Sequence, residues 1–160
     1  MDAIELLKAQ HKEVKGLFKK IEKAEEDEKQ DSFEQLADAL AVHAAIEEKH
    51  FYPATMNART EELLQEAVEE HLSVKRLIAD MDMSSDDPQF DAKITVLQEQ
   101  IDHHVEEEEE ELFPKVRKML QKEVLEDLGV VMEDMAEDLK GAGAPRQSVP
   151  SETEHAAPLE

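Results

Sequence analysis

Four stretches of this chain carry apolar residues at intervals of three and four, and in each the apolar series runs into ionisable side chains on the same face. The first reads Ile4, Leu7, His11, Val14, Phe18; the third reads Leu64, Val68, His71, then Val74 or Lys75, and Ile78. In the second, Leu36 and Leu40 lead to His43, Glu47 and His50, and in the fourth, Ile94, Leu97 and Ile101 lead to His104, Glu108 and Glu111. Such spacing traces one side of an α-helix. The stretches also form two copies of one unit. Laying His11 on His71 brings Val14 onto Val74 and Leu17 onto Leu77; laying His43 on His104 brings Glu47 onto Glu108 and Phe51-Tyr52-Pro53 onto Leu112-Phe113-Pro114. A helix pair cannot bury its own apolar stripe, so two pairs must close on one another as an antiparallel, up-down four-helix bundle.

Ala, Leu, Glu, Lys, Gln and Met dominate, and Gly and Pro are scarce before the last twenty residues, so the chain reads as all-α. The periodicity predicts helices over about 2–27, 33–57, 60–83 and 88–120. Asp31-Ser32 and Thr60 are the expected N-terminal caps, Ser84-Ser85-Asp86-Asp87-Pro88 a turn, and Pro114 an interruption. A shorter fifth helix over 122–139 should end at Gly141, either capping the bundle or making a homodimer. Residues 141–160 show no periodicity and too few apolar groups to order themselves, which predicts a disordered tail after a single domain at 1–140.

A formal net charge of −23 leaves no basic face to displace counterions, which argues against nucleic acid or an anionic membrane as partner. Without cysteine there is no disulfide, thiolate site, iron–sulfur cluster or thiol nucleophile, so any metal must take nitrogen and oxygen donors. The first residues, Met1-Asp2-Ala3-Ile4-Glu5, are acidic where a signal peptide is basic, and no apolar run is long enough to span a bilayer; a cytoplasmic protein is expected.

The polar residues on the core stripe carry the chemistry. An ionised carboxylate buried without a partner costs several kcal/mol, so Glu47 and Glu108 need positive charge nearby. In each His-x-x-x-Glu pair the two side chains stack one helical turn apart and can reach one site. If both glutamates bridge a pair of ions, each ion takes about two imidazoles and two bridging oxygens, with positions left for an oxo or hydroxo bridge, water or dioxygen. Mixed imidazole and carboxylate ligation with open positions favours non-haem iron, or manganese, over a closed zinc site. The predicted metal ligands are His11, His43, Glu47, His71, His104 and Glu108, and iron, two per chain, is the expected metal.

This pattern resembles the hemerythrin-like family of HHE cation-binding domains: a lone His11, the pair His43 with Glu47, a lone His71, and the pair His104 with Glu108, with the aromatic-proline tails after each pair, over about residues 4–120. The resemblance implies a di-iron centre with an oxygen-derived bridge, and a small ligand such as dioxygen, peroxide or nitric oxide. It leaves open sensing, storage of oxygen or iron, and detoxification. Oxygen-carrying hemerythrins have a His-x-x-x-His pair on the third helix and a late Asp on the fourth, whereas here position 75 is Lys. The poorer imidazole set should favour the ferric state, and with it redox or sensory work over carriage.

Other readings stand beside this one. A ferroxidase or catalase-like oxidoreductase is the alternative within di-iron bundles, although those use more carboxylates than histidines. A metal-free helical adaptor is the second alternative. His50 and Glu111 either ligate or orient a ligand by a hydrogen bond. Glu106, Glu107, Glu109 and Glu110 read as a solvated acidic face, His103 as pointing to a helix interface or water, and Tyr52 as packing or as a donor near the site.

Overall fold

The computed structural model describes residues 1–82 and 88–159. Its helices are α1 (Ala3–Lys23), α2 (Lys29–Ile46), α3 (Tyr52–Thr55), α4 (Glu61–Asp82), α5 (Phe90–Glu107), α6 (Phe113–Met119) and α7 (Lys122–Gly141). Cross-links show the first four long helices running up and down. Gln10 meets His43 while Lys20 meets Gln35, and Glu70 meets His104 while Asp80 meets Lys93. The all-α bundle expected from the periodicity is therefore the observed one. The turn expected at Ser84-Ser85-Asp86-Asp87 lies outside the described residues.

The core has two apolar ends. Ile4, Leu7, Ile46, Phe51, Leu64 and Leu112 belong to one cluster, while Val14, Phe18, Leu36, Leu40, Ile78 and Leu97 belong to the other. Fully burying any one such side chain stabilises the fold by roughly 1.5–3 kcal/mol. Between the two ends lies the layer in which the apolar stripes turn polar.

Several boundaries differ from the sequence expectation. The second helix starts at Lys29 with no side-chain cap, and Ser32 is buried inside it; Lys29 instead anchors that end through Glu26 and Asp91. Thr60 does precede α4, and its carbonyl accepts the Leu64 N–H, but its hydroxyl donates back to the Thr55 carbonyl. The unforeseen cap is Asp2, which accepts the Glu5 N–H while Glu5 accepts the Asp2 N–H, a reciprocal capping box.

Pro114 does not break its helix. Each of the two helices that carry a His-x-x-x-Glu pair widens into one π-turn, Glu47–Phe51 and Glu108–Leu112, before continuing as α3 and α6. Pro53 and Pro114 follow these turns in the first positions of α3 and α6. A proline has no N–H for the preceding turn, and a π-turn accommodates the resulting gap in the hydrogen-bond ladder.

The fifth helix caps the bundle. In α7, Gly129 lies against the backbone of the first residues: a Cβ there would sit 2.6 Å from the Met1 carbonyl oxygen and 2.9 Å from the Ala3 nitrogen. Both neighbours are main chain and have little room to yield. Gly129→Ala should therefore lower stability by about 1–3 kcal/mol in urea denaturation, with an unchanged slope.

Beyond α7 the expectation of a disordered tail is corrected. Pro145–Glu152 forms 3₁₀ turns that pack on α2 and α4, with Val149 only 2% exposed. The Arg146 backbone N–H and guanidinium both reach Asp38, and the guanidinium also pairs with Glu34. One apolar residue held by distant ion pairs leaves no local periodicity, which is why pattern reading missed it.

Candidate metal centre

His11, His43, Glu47, His71, His104 and Glu108 are all buried, and the bundle brings them together from four helices. Donor atoms of His11, His43, Glu47 and Glu108 lie within 4.8 Å of one another, as do those of Glu47, His71 and His104. The two groups share Glu47. Each imidazole turns Nε2 inward: His11 Nε2 is 3.0 Å from Glu108 Oε1, His71 Nε2 is 3.1 Å from Glu47 Oε1, and His104 Nε2 is 3.3 Å from Glu108 Oε2.

What aims the rings is a set of outer partners. His11 Nδ1 lies 2.6 Å from Glu109, His43 Nδ1 2.7 Å from Gln10, His71 Nδ1 2.7 Å from Glu48, and His104 Nδ1 2.8 Å from Glu70. A carboxylate oxygen, or the Gln10 amide oxygen, only accepts, so in each of these pairs Nδ1 donates its hydrogen and a neutral ring keeps its Nε2 lone pair for the interior. Sequence reasoning missed these four and set Glu109 in the solvated face. The signal was in the repeat: Gln10-His11 overlies Glu70-His71, and Glu47-Glu48 overlies Glu108-Glu109. Glu109→Gln should weaken metal binding about 10–100-fold with the fold intact, as read by competitive metal titration, while Glu110→Gln should not.

The π-turns decide what lies beneath the glutamates. The Tyr52 N–H bonds the Glu47 carbonyl five residues back, and Phe113 does the same with Glu108. Tyr52 is thereby turned into the site, and its hydroxyl donates to Glu108 Oε2 at 2.6 Å while lying 3.1 Å from Glu47 Oε1. Its counterpart Phe113 stacks on His11, ring centroids 6.0 Å apart. His50 and Glu111 fall outside both donor groups; Glu111 is exposed. Lys75, which stands where oxygen carriers have a histidine, is buried and pairs with Glu48 and Glu152 rather than joining the donors. His103 is exposed between Glu70 and Glu107 on the outer face of α4 and α5.

Electrostatics show how strongly this layer holds positive charge. Burial alone would lower the His104 pKa, yet the Glu108 carboxylate raises it well above the usual histidine value. The same opposition raises His71, through Glu47 and Glu48, and His11, through Glu108. Burial pushes the Glu47 carboxyl up, but its interactions with His43, Glu108 and His104 together outweigh that and hold the group well below the carboxylate range. For Tyr52, burial and the charges of Glu108 and Glu47 act together and raise the phenol well above 10, so it remains a neutral donor.

Among the described residues, the buried side-chain atoms that make no hydrogen bond include His43 Nε2 and Glu47 Oε2, although His43 Nε2 lies 3.2 Å from Glu47 Oε1. Both belong to the inward donor set, and leaving such atoms unsatisfied is costly. His71 Nε2 and His104 Nε2 also face each other at 3.2 Å, a clash of lone pairs if both rings are neutral. A cation resolves all three, so the residues present fit a multivalent metal.

An all-α bundle with a buried layer of histidines and glutamates drawn from facing helices defines a class, the helical cation-binding bundles. Within it, residues 2–116 match the model of the hemerythrin HHE cation binding domain, and the chain belongs to that family. It is similar to the crystal structure of a hemerythrin HHE cation binding domain-containing protein from Mycobacterium kansasii, with 25% identity and a TM-score of 0.78 over 96% of this chain and 95% of that one. It is also 29% identical over 128 residues to a DNA nickase from Nostoc sp., covering 79% of this chain and 36% of that protein. The chain thus spans about a third of that relative's length.

Proposed function

We propose that this protein holds a pair of non-haem iron ions through His11, His43, Glu47, His71, His104 and Glu108, and uses them to bind or process a small oxygen or nitrogen species. The observation that carries this reading is the convergence of six buried donors, all four imidazoles aimed by outer partners. Glu47 and Glu108 would lie between the two ions. His11 and His43 serve one side, His71 and His104 the other. When bound, an iron pair supplies one-electron redox chemistry and open positions for dioxygen, peroxide or nitric oxide. The protein's own contribution is to fix the ligand rings, exclude bulk water and place the neutral Tyr52 hydroxyl between the two glutamates.

The two halves of the centre are not equivalent. Tyr52 faces His71 and His104 while Phe113 faces His11, and His43 alone among the four has a neutral outer partner, Gln10. Sensing, storage or detoxification fits this arrangement. Tyr52 also favours a second reading, an oxidoreductase of ferroxidase or catalase-like type, because a phenol at the centre can give up a proton and an electron. Nucleic acid is not part of the proposal: a chain of net charge −23 lacks the basic surface for it. None of the helices is long and apolar enough, among the described residues, to cross a membrane.

The test is to load the chain with ferrous iron under anaerobic conditions, remove free metal and count what remains. Two irons per chain, with near-ultraviolet absorption developing in air, are expected. Retention of less than one iron per chain overturns the proposal. Peroxide turnover faster than that of free iron would select the oxidoreductase reading.

A further inference from the structure

A cavity of about 50 Å³ lies beside the metal-binding layer, bounded by His43, His71 and His104 on its inner side. Its walls are mostly apolar, with Leu40, Ala44, Val74, Ile78 and Ile101 from three helices, and Lys75 also lines it. The remaining side is closed by the 3₁₀ segment through Ser148, Val149 and Glu152. A space of this size with a mostly apolar lining suits one small uncharged molecule.

We infer that the Pro145–Glu152 segment is the roof of a ligand chamber, and that Val149 sets which molecules reach the metal-binding layer, admitting uncharged diatomics and holding back larger or charged ones. This rests on the metal-centre reading above. The segment is built to be held and released as a unit. Val149 is its only buried side chain, at 2% exposure. Ionic and hydrogen-bonded contacts hold it at both ends: Arg146 on Glu34 and Asp38 at one, Glu152 on Lys75 and the Thr153 carbonyl on Arg76 at the other. Glu152 is 44% exposed, so its pairing with Lys75 is within reach of solvent and salt.

Two measurements test the roof, one with metal and one without. In the iron-loaded protein, azide serves as a charged probe of access to the metal. Val149→Ala thins the roof and Arg146→Ala loosens its remote anchor, and neither residue touches the donor set. Each should raise the azide association rate about tenfold, equivalent to ~1.4 kcal/mol of closure, with iron content unchanged. In the metal-free protein, xenon titration followed by methyl NMR should shift Val149, Val74, Ile78 and Ile101 in the native chain. An unchanged azide rate in both variants overturns the inference, as does a xenon titration that leaves those methyl groups unmoved. Should the chain take up no iron, the metal-centre reading fails by itself, and the xenon arm still decides whether the roofed chamber exists.

Discussion

Saturating the protein with ferrous iron under anaerobic conditions should raise its unfolding temperature by about 8–16 °C, and a chelator should reverse the change. A ligand that binds only the folded state stabilises it by RT ln(1 + [L]/Kd), about 4 kcal/mol at a thousandfold excess over Kd. For a chain of this size each kcal/mol moves the midpoint by about 2–4 °C. The donors meet only in the fold, since His11 on α1 and Glu108 in the π-turn after α5 come within 3.0 Å of one another from opposite parts of the chain. Little of the binding energy is then lost to the unfolded chain. Because the inward nitrogens must be unprotonated to bind, the rise should shrink as the pH is lowered. Differential scanning calorimetry with iron, with chelator and at two pH values reads all three. Equal midpoints with and without metal would instead support a helical adaptor that carries no ion.

The second large effect is expected of Glu47→Gln, which keeps the shape of the side chain and removes its charge. Glu47 is fully buried and is shared by both donor groups, so neither ion position survives intact without it. Removing one charged partner from a buried set costs about 3–5 kcal/mol, or about 10²–10⁴-fold in metal affinity. Metal analysis after gel filtration should find fewer than one iron per chain, and the iron-dependent rise in unfolding temperature should vanish. Circular dichroism should remain that of the helical bundle, because the apolar clusters on either side do not depend on this charge. Retention of two irons by this variant would remove Glu47 from the ligand set. A parallel Tyr52→Phe variant separates ligand-holding from chemistry: it deletes the hydroxyl between Glu47 and Glu108 while leaving every imidazole in place.

The positions that could be read without a structure share one property: their neighbours lie on the same helix. His11 and His71 stand on continuous apolar stripes, and His43 with Glu47 and His104 with Glu108 stand one turn apart, so a 3.6-residue period suffices to find them. Residues identified by that period alone went astray just past each glutamate. With regular α-helical phasing His50 continues the stripe, whereas the π-turn adds a residue and brings Tyr52 to the centre instead. Nothing in the residue types of Glu47–Phe51 announces this; only the prolines that follow hint at a disturbed ladder.

Local chemistry thus determined the helices, their apolar faces and the six residues brought together, because each depends on spacing within one helix and on the cost of burying charge. Tertiary structure decided the rest: that Glu109 and Glu48 serve imidazoles on other helices, that Gly129 admits α7 against the N-terminus, and that Val149 closes a chamber beside the histidines. Those contacts join residues tens of positions apart, where the geometry of packing, and no periodic rule, selects the partner.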